Sequence, residues 1–89
     1  MINFSWAIGS SLEMLDNILT NKIQNGFAII RPPGHHATHN DPDGVCYYNN
    51  AAICAKVALN QYKLKRILIV DWDVHHGQGT QETFYDSPK

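Results

Sequence analysis

Apolar positions along the chain change period more than once. From Phe4, the residues Ile8, Leu12, Leu15 and Leu19 recur at steps of four and three, which predicts an amphipathic helix over about residues 4 to 20 with Asn3 or Ser5 as caps. A mostly polar stretch from Lys22 and then Gly26 break this pattern. Phe27 to Ile30 and, further on, Ile67 to Val70 are short unbroken apolar runs, the signature of strands buried on both faces of a parallel sheet. Between them, Asn49 or Asn50 can cap a helix over Ala51 to Leu59, whose alanines allow close packing on a sheet. Strand, loop, helix and strand together have the length of a βαβ crossover, so the strands are expected to be parallel and to end on one edge. Past Gly79, Thr80 can cap a short helix over Gln81 to Tyr85, before Ser87-Pro88 interrupts.

Both apolar runs end in ionisable groups. The second leads directly into Asp71-Trp72-Asp73-Val74-His75-His76, and an extended backbone there turns Asp71, Asp73 and His75 to one side and Trp72, Val74 and His76 to the other. Carboxylates buried without partners would be costly, and the open end of a parallel sheet is where ligands bind. Two carboxylates and an imidazole suit a divalent metal such as Zn²⁺, with Gly77 and Gly79 expected to let the chain turn sharply beneath it. The first run ends at Arg31 and Pro32-Pro33-Gly34, which cannot continue a ladder, and delivers His35-His36 to the same edge. A metal on Asp73 and His75, with an imidazole near its water, describes metal-assisted hydrolysis. Two ligands are fewer than the three protein ligands usual in a catalytic zinc site, so a third is expected outside these residues. His39, in the polar loop from Thr38 to Gly44, reads as solvated.

Composition narrows the partners. A formal net charge of −1 over 89 residues gives no basic footprint for direct nucleic-acid binding. The longest unbroken apolar stretch, Ala51 to Ala55, is too short for a signal core or membrane span, so an intracellular protein of the nucleus or cytoplasm is expected. Cys46 and Cys54 lack metal-motif spacing and read as small buried residues, and the sequon at Asn3-Phe4-Ser5 reads as chance.

Three stretches carry a family resemblance. Asn25 to Ala37 (NGFAIIRPPGHHA), Gly44 to Asn50 (GVCYYNN) and Ile67 to Gln81 (ILIVDWDVHHGQGTQ) resemble, in order, motifs of the zinc-dependent histone deacetylases of class II. The helix at residues 9 to 16 adds to the likeness, which covers essentially the whole chain. The family's domain is several times longer, so residues 1–89 are expected to be part of a catalytic domain, continuing beyond Lys89 and beginning before Met1. The resemblance implies the arginase-deacetylase α/β fold, a parallel sheet flanked by helices, of which this chain would hold a two-strand βαβ portion and an N-terminal helix.

By position, the resemblance makes His35 and His36 the paired catalytic histidines, the second a general base and the first an electrostatic or acid group. Asp73 and His75 match zinc ligands. Asp71 matches the carboxylate that supports His35 and helps bind a structural potassium ion with backbone carbonyls. Gly44 and Val45 match the substrate channel, and Gln78 a supporting place behind His36. The third zinc-binding Asp and the Tyr that stabilises the tetrahedral intermediate are expected downstream of Lys89, leaving the fragment inactive alone.

Two residues depart from the family pattern. Val45 stands where an aromatic residue usually lines the acyl-lysine channel. Gln78 replaces the Asp or Asn that orients the second histidine, and an amide cannot raise imidazole basicity as a carboxylate would; Gln here is a mark of the class IIb branch. The implied substrate is an acetylated protein, histone or non-histone such as tubulin. An acetylpolyamine or other small amide is an alternative substrate, and a non-catalytic binding module an alternative role.

Overall fold

A computed structural model of the chain describes residues 3–38, 41–44 and 46–86. His39, Val45 and Ser87-Pro88 lie outside the described residues, so the solvated and channel-wall roles read for the first two have no structural counterpart here. The first helix, α1 (Asn3–Leu19), contains both Asn3 and Ser5, so neither caps it from outside. Its most buried positions are not the large apolar ones but Ala7 and Ser11, one turn apart, with the Ser11 hydroxyl donating to the Ala7 carbonyl at 2.9 Å. α1 ends at Leu19, well before Gly26, and Asn21 just beyond it has a φ of 62°, the left-handed conformation that closes helices.

Helix α2 (Asn50–Asn60) is capped by Asn49, whose side-chain oxygen accepts from the Ala52 N–H at 3.1 Å. Ala52, Ala55 and Ala58 are buried, so the expected small-residue stripe is present. The third helix, α3 (Gln78–Phe84), starts earlier than expected. Gly77 occupies its N-cap without a side-chain bond, and Thr80 lies inside the helix, where its hydroxyl accepts from Asn49 Nδ2 at 2.9 Å. α1 packs on α2 and α2 on α3.

The two expected strands are not paired. Residues 27–30 and 67–70 form no ladder, and among the described residues the β-pairing is an isolated antiparallel bridge between Asp43 and Cys46. Exposure alternates along both runs as in a strand. Ala28 and Ile30, and likewise Ile67 and Ile69, are half covered, while Phe27 (88% exposed), Ile29 (90%), Leu68 (85%) and Val70 stand bare. Burial on both faces, expected from the sequence, is thus corrected to burial on one. A strand without a hydrogen-bonded neighbour has no ladder to join.

Gly34 fixes how the first run leaves this layer. Its φ is 105°, and a β-carbon there would stand 2.4 Å from the Tyr48 carbonyl oxygen. Its N–H points at the sulfur of Cys46, which is fully buried as expected, whereas Cys54 is only half-buried. Asn50 completes the anchor by donating from Nδ2 to the carbonyls of Pro32 and Pro33 at 3.0 and 3.2 Å. The histidines that follow Gly34 are therefore held against the start of α2.

Candidate active site

The ends of the two extended runs meet. His35 Nδ1 lies 2.7 Å from Asp71 Oδ2, and His35 Nε2 lies 3.9 Å from Asp73 Oδ1. Asp73 Oδ1 in turn sits 2.8 Å from His75 Nδ1 and also accepts the His75 backbone N–H at 2.7 Å. Asp71, Asp73 and His75 thus share one side, as the alternation predicts, while Trp72 and Val74 are 92% and 91% exposed on the other. A cleft of about 350 Å³ beside this set is lined in part by Pro33, His35, Asn49, Ile69, Asp71 and Asp73. A larger hollow of about 620 Å³ between the 37–48 loop and α2 is lined by none of the candidate site residues.

The second histidine has its own partner. His36 Nδ1 lies 2.7 Å from Gln78 Oε1, and the His35 and His36 rings are 4.1 Å apart. An amide oxygen only accepts, so in this pair it is Nδ1 of His36 that donates. The arrangement depends on close backbone approach, not on the sharp glycine turns expected from sequence. Gly77 has a φ of −86°, and a β-carbon there would stand 2.7 Å from Asp71 Oδ2 and 3.0 Å from His35 Nδ1. Gly79 is buried at the start of α3.

The carboxylates are held ionised. Asp71 is shifted below the usual carboxylate range chiefly by its bond to His35, then by the Asp73 N–H, which it accepts at 3.0 Å on Oδ1. Asp73 is lowered by the backbone and side-chain N–H groups of His75. An oxygen and a nitrogen donor 2.8 Å apart are close to the ~3.3 Å between two donors sharing a tetrahedral zinc with bonds of about 2.0–2.1 Å, so Asp73 and His75 fit such an ion. No group of three His, Cys, Asp or Glu converges for metal binding among the described residues. Asp71 engages both oxygens, Oδ2 with His35 and Oδ1 with the Asp73 N–H.

Several supporting residues carry no mark in the sequence. Asn49 and Asn50 look like interchangeable caps, yet one caps α2 and ties it to Thr80, while the other grips the two prolines before the histidines. Asp43, one of two acids in a polar loop, meets the Gln78 amide at 2.8 Å. Gly44 adopts a φ of 57° in the tight turn beside it.

Known proteins share this arrangement of sequence. A family model described as the histone deacetylase domain matches residues 3–89. Histone deacetylase 7 of Homo sapiens is 49% identical over 83 residues, covering 93% of this chain and 9% of the relative. Polyamine deacetylase HDAC10 of Mus musculus is 52% identical over 82 residues, or 92% of this chain and 12% of the relative. The crystal structure of the HDA15 HD domain superposes with a TM-score of 0.89 at 47% identity, over 96% of this chain and 24% of that one. The chain therefore spans a small part of the relatives it matches, with a fold consistent with the arginase-deacetylase type. On the family match across nearly all of its residues, together with these identities, the chain belongs to the histone deacetylase family.

Proposed function

We propose that residues 1–89 form part of a class II, zinc-dependent deacetylase domain that hydrolyses the acetyl amide of acetyl-lysine in histones or other proteins. One observation carries the reading: two neighbouring histidine rings, tilted 51° to one another, are held by different partners, His35 by Asp71 and His36 by Gln78, beside the donor pair Asp73 and His75. Asp73 and His75, with a ligand from outside the described residues, would hold the zinc, which when bound would supply Lewis-acid polarisation of the amide carbonyl and of water.

The proton steps fall to this chain's own side chains. His36, protonated on Nδ1 toward Gln78, accepts the proton of the attacking water on Nε2. Water oxygen bonds to the acetyl carbon, the carbon–nitrogen bond breaks, and the leaving lysine amine takes up the proton that His36 removed from the water, releasing acetate. His35 is held through Nδ1 by Asp71, which leaves Nε2 as the ring nitrogen available to the substrate oxygen. Gly44 would contribute to the wall of the acyl-lysine channel.

A second reading has its own support in the likeness to a polyamine deacetylase at 52% identity, under which the substrate is a small acetylated amine. Turnover of an acetyl-lysine peptide and of an N-acetylpolyamine by the full-length, zinc-loaded protein separates them. Preferential hydrolysis of the peptide is expected. Preference for the polyamine replaces the first reading with the second, and zinc binding without hydrolysis of either leaves only a binding module.

A further inference from the structure

Asp43 stands out because the proposed chemistry makes no use of it, yet it touches the group that orients the proposed base. Gln78 Nε2 donates to Asp43 Oδ2 at 2.8 Å and lies 3.4 Å from the His36 carbonyl oxygen, while Gln78 Oε1 faces His36 Nδ1 at 2.7 Å. The two ends of an amide differ in chemistry: the oxygen only accepts and the nitrogen only donates. Turned over, Gln78 would set its oxygen against a carboxylate and a carbonyl, two contacts between acceptors, and would offer a donor to His36. Asp43, at the shorter distance, and the His36 carbonyl therefore both oppose the turned-over amide.

The carboxylate is placed by backbone and not by chance. Asp43 and Cys46 exchange N–H to carbonyl bonds of 3.0 and 2.9 Å across the turn at Gly44, and Cys46 is fully buried under Gly34. On the near side of the loop, the Thr38 N–H donates to the Asp41 carbonyl at 2.9 Å. An exposed acid is thereby carried on a short hairpin pinned to the same residue that holds the histidine turn.

We infer that Asp43 is a positioning residue, which by holding the Gln78 amide in one orientation fixes His36 as the Nδ1–H tautomer with Nε2 free to accept a proton. A Gln in place of a carboxylate behind the histidine is ambiguous by itself, because an amide can present either end; Asp43 removes the ambiguity. The inference rests on the deacetylase reading for its consequence in turnover, but its structural content, the tautomer, is measurable without any substrate.

The test uses ¹⁵N-histidine-labelled full-length protein and long-range nitrogen–proton correlation spectra, with His36 assigned by the loss of its signals in His36→Ala. Unsubstituted protein is expected to show His36 protonated on Nδ1. In Asp43→Ala that signature should give way to a mixture with the Nε2–H form, and Asp43→Asn, whose amide oxygen still accepts from Gln78, should keep it. The decisive variant is Asp43→Ala combined with Gln78→Glu, in which both oxygens accept and no flip matters, so the Nδ1–H tautomer should return. Where the protein hydrolyses an acetyl-lysine peptide, kcat should fall about tenfold in Asp43→Ala, in line with one charge-assisted hydrogen bond, with KM little changed. That loss should vanish in the Gln78→Glu background. An unchanged tautomer in Asp43→Ala overturns the inference, and so does a change that persists with Glu at position 78, because Asp43 would then act only through folding of the loop. Absence of hydrolysis with the expected tautomer pattern instead counts against the deacetylase reading and leaves the positioning role standing.

Discussion

The backbone N–H of Gly79 donates to the carbonyl oxygen of His35 at 3.0 Å. This single bond puts the first turn of α3 directly on the histidine turn, and it sets the register in which Gln78 meets His36 and Gly77 passes under the His35–Asp71 pair. The approach is so close that a β-carbon on Gly79 would stand 2.0 Å from the Ala37 carbonyl oxygen. Both partners are backbone, so neither can swing aside.

Gly79→Ala is therefore expected to push α3 off the loop, at an overpacking cost of about 1–3 kcal/mol. Melting temperature should fall, and the His36–Gln78 bond should lengthen or break. A variant that melts like the parent and keeps the His36 nitrogen shifts would show that the close approach is not needed.

Metal content offers a separate check. Asp73→Ala and His75→Ala each remove one of two converging donors, so bound zinc in the full-length protein, measured by elemental analysis, should drop sharply in both. Gln78→Ala, which touches His36 and not the donor pair, should leave zinc in place. Equal zinc loss in all three variants would contradict the assignment of ligands.

Much of this organisation was legible in the sequence, though unevenly. The 4,3 spacing from Phe4 gave α1 to within a residue at each end, because helix periodicity is local and few tertiary contacts are needed to read it. The convergence of His35-His36 with Asp71 to His75 was also readable, since it follows from two apolar runs ending at one edge. Strand pairing was not, because a ladder depends on backbone hydrogen bonds between neighbours, and Phe27 to Ile30 and Ile67 to Val70 form no ladder here. Nor was Asp43 readable, since a carboxylate in a polar loop looks the same whether it faces water or an amide. The start of α3 was missed for a related reason: its cap is Gly77, whose place is dictated by the bulk of Asp71 and His35 and not by any capping side chain.

A tie away from the site gives a pH prediction. The Tyr62 hydroxyl donates to Asp16 Oδ1, joining the end of α2 to α1. That hydrogen bond, followed by burial and the negative charge of Asp16, raises the Tyr62 pKa above its ordinary value. The folded-state pKa exceeds the unfolded one of about 10, so the tie's contribution to stability is complete below about pH 10 and is lost as pH rises through the folded-state value. Alkaline difference absorbance against Tyr62→Phe should place Tyr62 ionisation higher in the parent than in Asp16→Asn. Coincident titration curves would mean that the bond does not persist in solution.

The bare apolar faces make a prediction about residues 1–89 produced alone. Phe27, Ile29, Leu68 and Trp72 present large exposed side chains, and the unpaired runs that carry most of them offer free N–H and C=O groups for pairing with another chain. The isolated 89-residue chain should bind a hydrophobic dye and sediment as concentration-dependent associated species. Monomeric sedimentation with a single sharp melt would show that the helices cover more than this layer needs.

The two histidines provide the sharpest division between chemistry and packing. His36 receives its orientation from Gln78 and His35 from Asp71, so the roles proposed for them depend on different partners although their rings are 4.1 Å apart. His36→Ala in the full-length protein should lower turnover by about 10²- to 10⁴-fold, the range for loss of a general base, while zinc stays bound because the imidazole is not among the proposed ligands. His35→Ala should also slow turnover and keep zinc, and Asp71→Asn should reproduce most of its effect, since Asp71 acts on the reaction through His35. A purely structural pair would behave differently: either substitution would lower the melting temperature while folded, zinc-loaded molecules turned over at nearly the parent rate. Turnover normalised to bound zinc separates the outcomes, and a near-parental value for His36→Ala removes its role as base.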